Sequence, residues 1–175
     1  MTGSQPAVAR QRLRTRAIVV SLLLVAQFFL GMITNLYVTI PGHHPGANAH
    51  NYFSGAASSV GWAISGGGAW LAMHASLGVL LVIGAIEFIV AAARSRNGTW
   101  IWTSIAGAAF IMGAAFNGAS FLVFNKDYSS LIMAGLFGLS LSSYVIGIYR
   151  DGRQPWAYAE VTTGAVTAGR AGDHG

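Results

Sequence analysis

The chain has 175 residues, 54% of them hydrophobic and 9% charged, against about 25% charged in an ordinary soluble domain. With a mean hydropathy of +0.55, this balance excludes a water-soluble enzyme, a disordered protein and a nucleic-acid-binding domain. The net charge of +5 lies outside the apolar segments, and the absence of Cys excludes disulfides, thiolate metal sites and a cysteine nucleophile.

Residues 1–16 hold Arg10, Arg12, Arg14 and Arg16. They read as a basic cytoplasmic tail that sets topology and is drawn to anionic lipid headgroups. A membrane helix needs about 20 largely apolar residues. Four segments supply them, over 17–40, 70–93, roughly 99–124, and 129–149. The first is longer than the apolar core of a signal peptide, which runs to about 15 residues, and reads as a retained span. Between the first two spans lies an outer loop, 41–69, without charged residues. Within it, residues 56–65 predict an interfacial or re-entrant helix that caps the bundle. Gly66, Gly67 and Gly68 then allow a turn into the second span. Residues 150–175 are rich in Gly, Ala and Thr, lack apolar periodicity, and predict a disordered cytoplasmic tail. The fold class is all-α: a polytopic four-helix membrane bundle, 17–149, in contact with the lipid bilayer.

Orientation follows from the basic residues. All nine arginines fall on one side of a four-span arrangement, and only Lys126 falls on the other. Both termini are therefore expected in the cytoplasm. Trp100, Trp102, Tyr149 and Trp156 flank the inner boundary, and Trp70 and Tyr37 the outer one. Nine arginines against one lysine, with abundant Ala and Gly, suggest a GC-rich bacterial genome, hence a bacterial inner membrane.

The helical hairpin recurs. Phe28, Gly31 and Asn35 in the first span match Phe110, Gly113 and Asn117 in the third. Leu71, Met73 and Gly78 in the second match Leu131, Met133 and Gly138 in the fourth. Parallel repeats imply a pseudo-symmetry axis along the membrane normal. Gly31, Gly78, Gly113 and Gly138 are expected on inward faces, where small residues let backbones approach in lipid.

Polar side chains gather toward the outer face. Gln27, Gly31, Thr34 and Asn35 share one stripe of the first span at 3.6 residues per turn. Asn117 lies on the matching stripe of the third. His74 enters one turn into the second span and is the sole His inside a span. Such polar groups usually face the bundle interior. Thr34, Asn35 and Asn117 read first as interhelical hydrogen bonds. His74 reads as one of these, as a ligand to heme iron or another metal, or as a proton-transfer group.

The run from Gln27 through Gly31 and Thr34, a polar outer loop, and His74 to Gly78 at the head of the next span resembles the heme A synthase family. That family's four-helix halves carry a Gln-x-x-x-Gly span and then a span with an axial His, and repeat the hairpin. The resemblance is carried mostly by 17–93. It implies a shared bundle and a heme b site with His74 as axial ligand and Gln27, Thr34, Asn35 and Asn117 around it. Ala134 stands where the family has its second His, and Ala75 where it has an Arg. A heme here is thus ligated by His74 alone, or takes a second ligand from elsewhere.

His43, His44 and His50 in the outer loop are a further possible Cu or Zn set, though their spacing matches no metal signature. Glu87 is the one acid within a span. Thirteen residues after His74, it is turned about 220° away from it. It reads as paired with Arg94 or Arg16, or as the coupling group of a transporter. No nucleophile–base pair or phosphate-binding loop is visible, and Ser140, Ser142 and Ser143 read as helix packing, so no reaction is assigned. Three functions are open: a heme-binding protein in electron transfer or heme handling, a non-catalytic subunit or scaffold of a membrane complex or homo-oligomer, and a small transporter using Glu87.

Overall fold

The fold is that of a computed structural model, whose backbone is described for residues 4–125 and 128–171 and whose side chains are described for 8–125 and 128–153. Lys126, and the side chains of Trp156 and Arg170, lie outside the described residues. Five helices follow in order: α1 (Ser4–Tyr37), α2 (Tyr52–Ser65), α3 (Ala69–Ser95), α4 (Gly98–Phe124) and α5 (Ser129–Ala171). Among the described residues there is no strand. Four helices are long and apolar enough to cross a membrane, over Val8–Tyr37, Ala69–Ser95, Gly98–Phe124 and Ser129–Arg153. The 27 residues of α3 rise about 40 Å, more than the roughly 30 Å of bilayer hydrocarbon.

Two helices outrun the apolar segments that predict them. α1 begins at Ser4, so the basic tail is continuous with its span. Leu13 and Ala17 are already buried there, and Arg, Gln and Ala are good helix formers. The backbone of α5 continues as helix to Ala171, where composition predicts disorder from residue 150. Asp151 explains the first of that extension, being buried against α1 and α4.

The capping helix predicted for 56–65 is α2, which starts earlier. The Asn51 side chain accepts from the Ser54 N–H at 3.1 Å, a side-chain N-cap that fixes the start. Its end is closed by the Gly66 N–H on the Trp62 carbonyl at 2.7 Å. Gly68, at φ +81°, turns the chain into α3, a conformation that glycine adopts without strain. Asn97 caps α4 through the Trp100 N–H, and Asn125, at φ 49°, ends it in the left-handed region.

The long helices form a ring in the order α1, α3, α4, α5, closed by α1 against α5. α1 faces α4 across the ring, and α3 faces α5. The larger core lies in the half of the bundle away from α2 and includes Leu24, Leu81, Phe88, Trp100, Ile111 and Tyr144. Tyr144 is 0% exposed and stacks on Phe88 at 5.5 Å between ring centroids. α4 and α5 approach closely because Gly107 leaves room for that ring: a Cβ there would lie 2.5 Å from Tyr144 Cζ. Gly147 does the same opposite Thr103. A smaller core, Ala63, Leu71 and Leu122, joins α2 to the outer ends of α3 and α4. Of the four glycines expected on inward faces, Gly31, Gly78 and Gly113 meet neighbours, but Gly138 faces open space. Close approach along α5 falls to Gly147 instead, in the half packed by the larger core.

Candidate functional site

Between the two cores the bundle is hollow. A cavity of 640 Å³ lies among the outer halves of the four long helices, within the roughly 300–1,000 Å³ of small-molecule sites. Its wall is mostly apolar, with Phe28, Phe110, Leu122, Met133 and Phe137. Phe28 and Phe137 stack at 4.9 Å and join α1 to α5. Gln27, Thr34, Asn35, His74 and Ser130 supply polar atoms.

Gln27 and His74 meet directly. The Gln27 amide donates to the His74 carbonyl at 3.0 Å and lies 3.4 Å from His74 Nε2. The first is a sound hydrogen bond. The second is at the limit of one. Nδ1 of His74 and Oε1 of Gln27 are buried with no partner among the described residues. Two glycines make the contact possible: a Cβ on Gly31 would stand 3.0 Å from His74 Cε1, and one on Gly78 would stand 3.2 Å from Gln27 Nε2. The imidazole is therefore anchored through its backbone while its ring nitrogens are poorly satisfied. An unmade buried hydrogen bond costs about 1–3 kcal/mol.

The asparagines do different work. Ser130 Oγ donates to Asn35 Oδ1 at 3.0 Å, and Asn117 Nδ2 donates to the Ser129 carbonyl at 2.7 Å. Both bind the first turn of α5. Asn35 also lines the cavity, whereas Asn117 is not among its lining residues. Thr34 donates to the Trp70 carbonyl at 3.4 Å and ties α1 to α3. Of the predicted constellation, Gln27, Thr34, Asn35 and His74 thus share one cavity and Asn117 lies beside it.

The outer-loop histidines do not converge. His44 stacks on Trp62 at 4.3 Å, while His43 and His50 are exposed. Among the described residues no group of three or more His, Cys, Asp or Glu is placed to hold a metal ion. Glu87 is exposed on the outward face of α3, between Ile86 and the buried Phe88. The expected pairing with Arg94 or Arg16 is not made: the ion pair among the described residues is Arg10–Asp151. Glu87 and Arg94 are separated by about two turns, or some 10.5 Å along the axis, beyond a direct contact without full extension of both side chains.

Asp151 is the polar centre that sequence reasoning misses. It is 5% exposed, takes Arg10 from α1, and accepts from Trp100 Nε1 of α4 at 3.2 Å. Arg10 also donates to its carbonyl oxygen. This staple closes the end of the ring away from the cavity.

Comparison with protein-family models, curated proteins and solved structures gives no match.

Proposed function

We propose that this chain is a multi-pass protein of a bacterial inner membrane, with both termini cytoplasmic, that binds heme b near the outer face through His74. Its role is electron transfer or heme handling. The observation that carries this reading is an imidazole whose ring nitrogens the protein leaves poorly satisfied, on the wall of a 640 Å³ apolar cavity. A purely structural histidine at this depth has both nitrogens hydrogen-bonded as a rule.

The residues present fit such a group. His74 would hold the iron through a ring nitrogen. Gln27 holds the His74 backbone in place, and Gly31 leaves room for the ring to turn. Phe28, Phe110 and Phe137 supply an apolar aromatic wall. When bound, the heme supplies an iron that exchanges one electron, or is itself the cargo. A duplicated hairpin is part of the proposal. Exchanging α1 with α4 and α3 with α5 maps the ring order onto itself, as parallel repeats about an axis along the membrane normal require.

The test is the visible spectrum of the purified chain, oxidised and reduced, beside His74→Ala. A heme band in the parent that is lost in the variant is expected. A colourless parent after expression with ample heme would sink the reading. A second reading, a subunit of a membrane complex, is favoured by one observation: Glu87 is an exposed acid on an apolar face with no ion-pair partner among the described residues. A transporter would have to use Glu87 away from the cavity, whose lining does not include it.

A further inference from the structure

The four arginines near the N-terminus do not share one environment. α1 is helical from Ser4, so their directions are fixed at about 100° of rotation per residue. Leu13, Ala17, Val20 and Leu24 form the buried side of α1. Arg10 turns toward α5 and is taken by Asp151. By the same rotation Arg14 leaves from the flank of Arg10. Arg12 and Arg16 leave from the other flank, the one from which Gln27 and Thr34 meet α3 further along.

Val8, Gln11, Arg12, Thr15 and Arg16 line an open groove of 370 Å³ on that flank, and all five are exposed. Arg12 and Arg16 are one helical turn apart, with β-carbons about 6 Å from each other. Two guanidinium groups at this spacing reach one phosphate group, whose oxygens suit their planar forks of donors. Gln11 and Thr15, also a turn apart, add an amide and a hydroxyl. α1 contains no acid, and Asp151, the acid packed against it, is already matched by Arg10 on the other flank. The groove is therefore positive with no counter-charge of its own helix.

The surface next to the groove decides the kind of anion. In steps of three and four residues, the stripe through Arg12 and Arg16 continues along Val19, Leu23 and Ala26, all exposed. A free anion leaves that apolar stripe unused, whereas an anion that carries an acyl chain covers it. We propose that the groove holds the phosphate of an anionic phospholipid, with one acyl chain along Val19, Leu23 and Ala26. Any basic segment beside a bilayer attracts anionic lipid diffusely. A site differs in depending on two of the four arginines. It does not rest on the heme reading, since none of the groove residues lines the cavity.

The experiment adds palmitoyl-oleoyl phosphatidylglycerol, or the matching phosphatidylcholine, to the full chain in neutral detergent and counts bound lipid by native mass spectrometry. The parent is expected to favour phosphatidylglycerol roughly tenfold or more. Arg12→Gln with Arg16→Gln removes the preference, while Arg14→Gln stays within about twofold of the parent. Arg12→Lys with Arg16→Lys keeps the charge and much of the preference, which separates loss of the site from loss of the fold. Millimolar inorganic phosphate leaves the lipid bound. Equal losses in Arg14→Gln and in the Gln pair would mean diffuse attraction and overturn the site. Displacement by inorganic phosphate would mean a bare anion site and overturn the lipid. A parent without preference overturns both.

Discussion

Gly31 and Asp151 place two chemical demands on single residues. At Gly31 the demand is space. A methyl group there would press on the His74 ring at 3.0 Å, and overpacking of this kind costs about 1–3 kcal/mol. Gly31→Ala is expected to lower heme retention roughly tenfold or more while the helices stay intact, read by pigment-to-protein ratio against circular dichroism. At Asp151 the demand is charge. Removing the carboxylate leaves Arg10 without its partner and the buried Trp100 N–H without an acceptor. Breaking a buried pair from one side costs about 3–5 kcal/mol, and Arg10 keeps 29% of its side chain in solvent, so Asp151→Ala is expected to lose about 2 kcal/mol. The check is unfolding in detergent micelles, with Arg10→Ala as the milder comparison. Sequence reasoning reaches the first residue and not the second. Gly31 shares a helical stripe with Gln27, and the spacing alone points it inward. Arg10 and Asp151 are 141 positions apart, and no local pattern links an N-terminal arginine to an acid just past the last span.

Elements were readable wherever hydropathy and chain chemistry agree. The four spans and the capping helix follow from apolar length and from the glycines at 66–68. Their ends follow a different rule. Hydropathy marks where lipid begins, not where helical hydrogen bonding stops, so α1 and α5 run on beyond their apolar segments. The start of α2 depends on one side-chain cap at Asn51. The seat of α2 depends on Gly46, at φ +89°, where a Cβ would lie 2.2 Å from the Gly55 carbonyl oxygen and 2.4 Å from Ser59 Oγ. Gly46→Ala combines backbone strain with a clash against main chain. It is expected to release α2 while the long helices persist, seen as faster amide exchange across Tyr52–Ser65 and unchanged exchange in α3 and α4.

The order of the helices around the bundle is a property of the whole chain that one sequence does not contain. Four apolar helices can close in more than one ring, and the packing that selects this one is carried by Gly107 and Gly147 against α4–α5 side chains and by the Asp151 staple. Arginine placement is a one-dimensional signal from which an orientation in the membrane is proposed. The chain has no Cys, so it can be tested by single introduced thiols. Gly42 and Gly98 both have space for a Cβ, with nothing within 4 Å. Gly42→Cys is expected to react with an impermeant maleimide added to intact cells, and Gly98→Cys only after the membrane is opened. The reverse pattern would invert the topology.

The hollow region has a floor and a roof. The Phe88–Trp100–Tyr144 core closes one end of it, and α2 with Leu71 and Leu122 closes the other. Its walls are less complete: Met32, Val79, Ile83 and Ala134 line the cavity and are also exposed on the flanks of the bundle. For the heme proposed above, these gaps give a route of entry from the side of the bundle. The concentration that governs loading is then the mole fraction dissolved in the bilayer, and the aqueous concentration matters only through partition. Diluting the protein into more lipid at constant total ligand should unload it, while adding buffer should not.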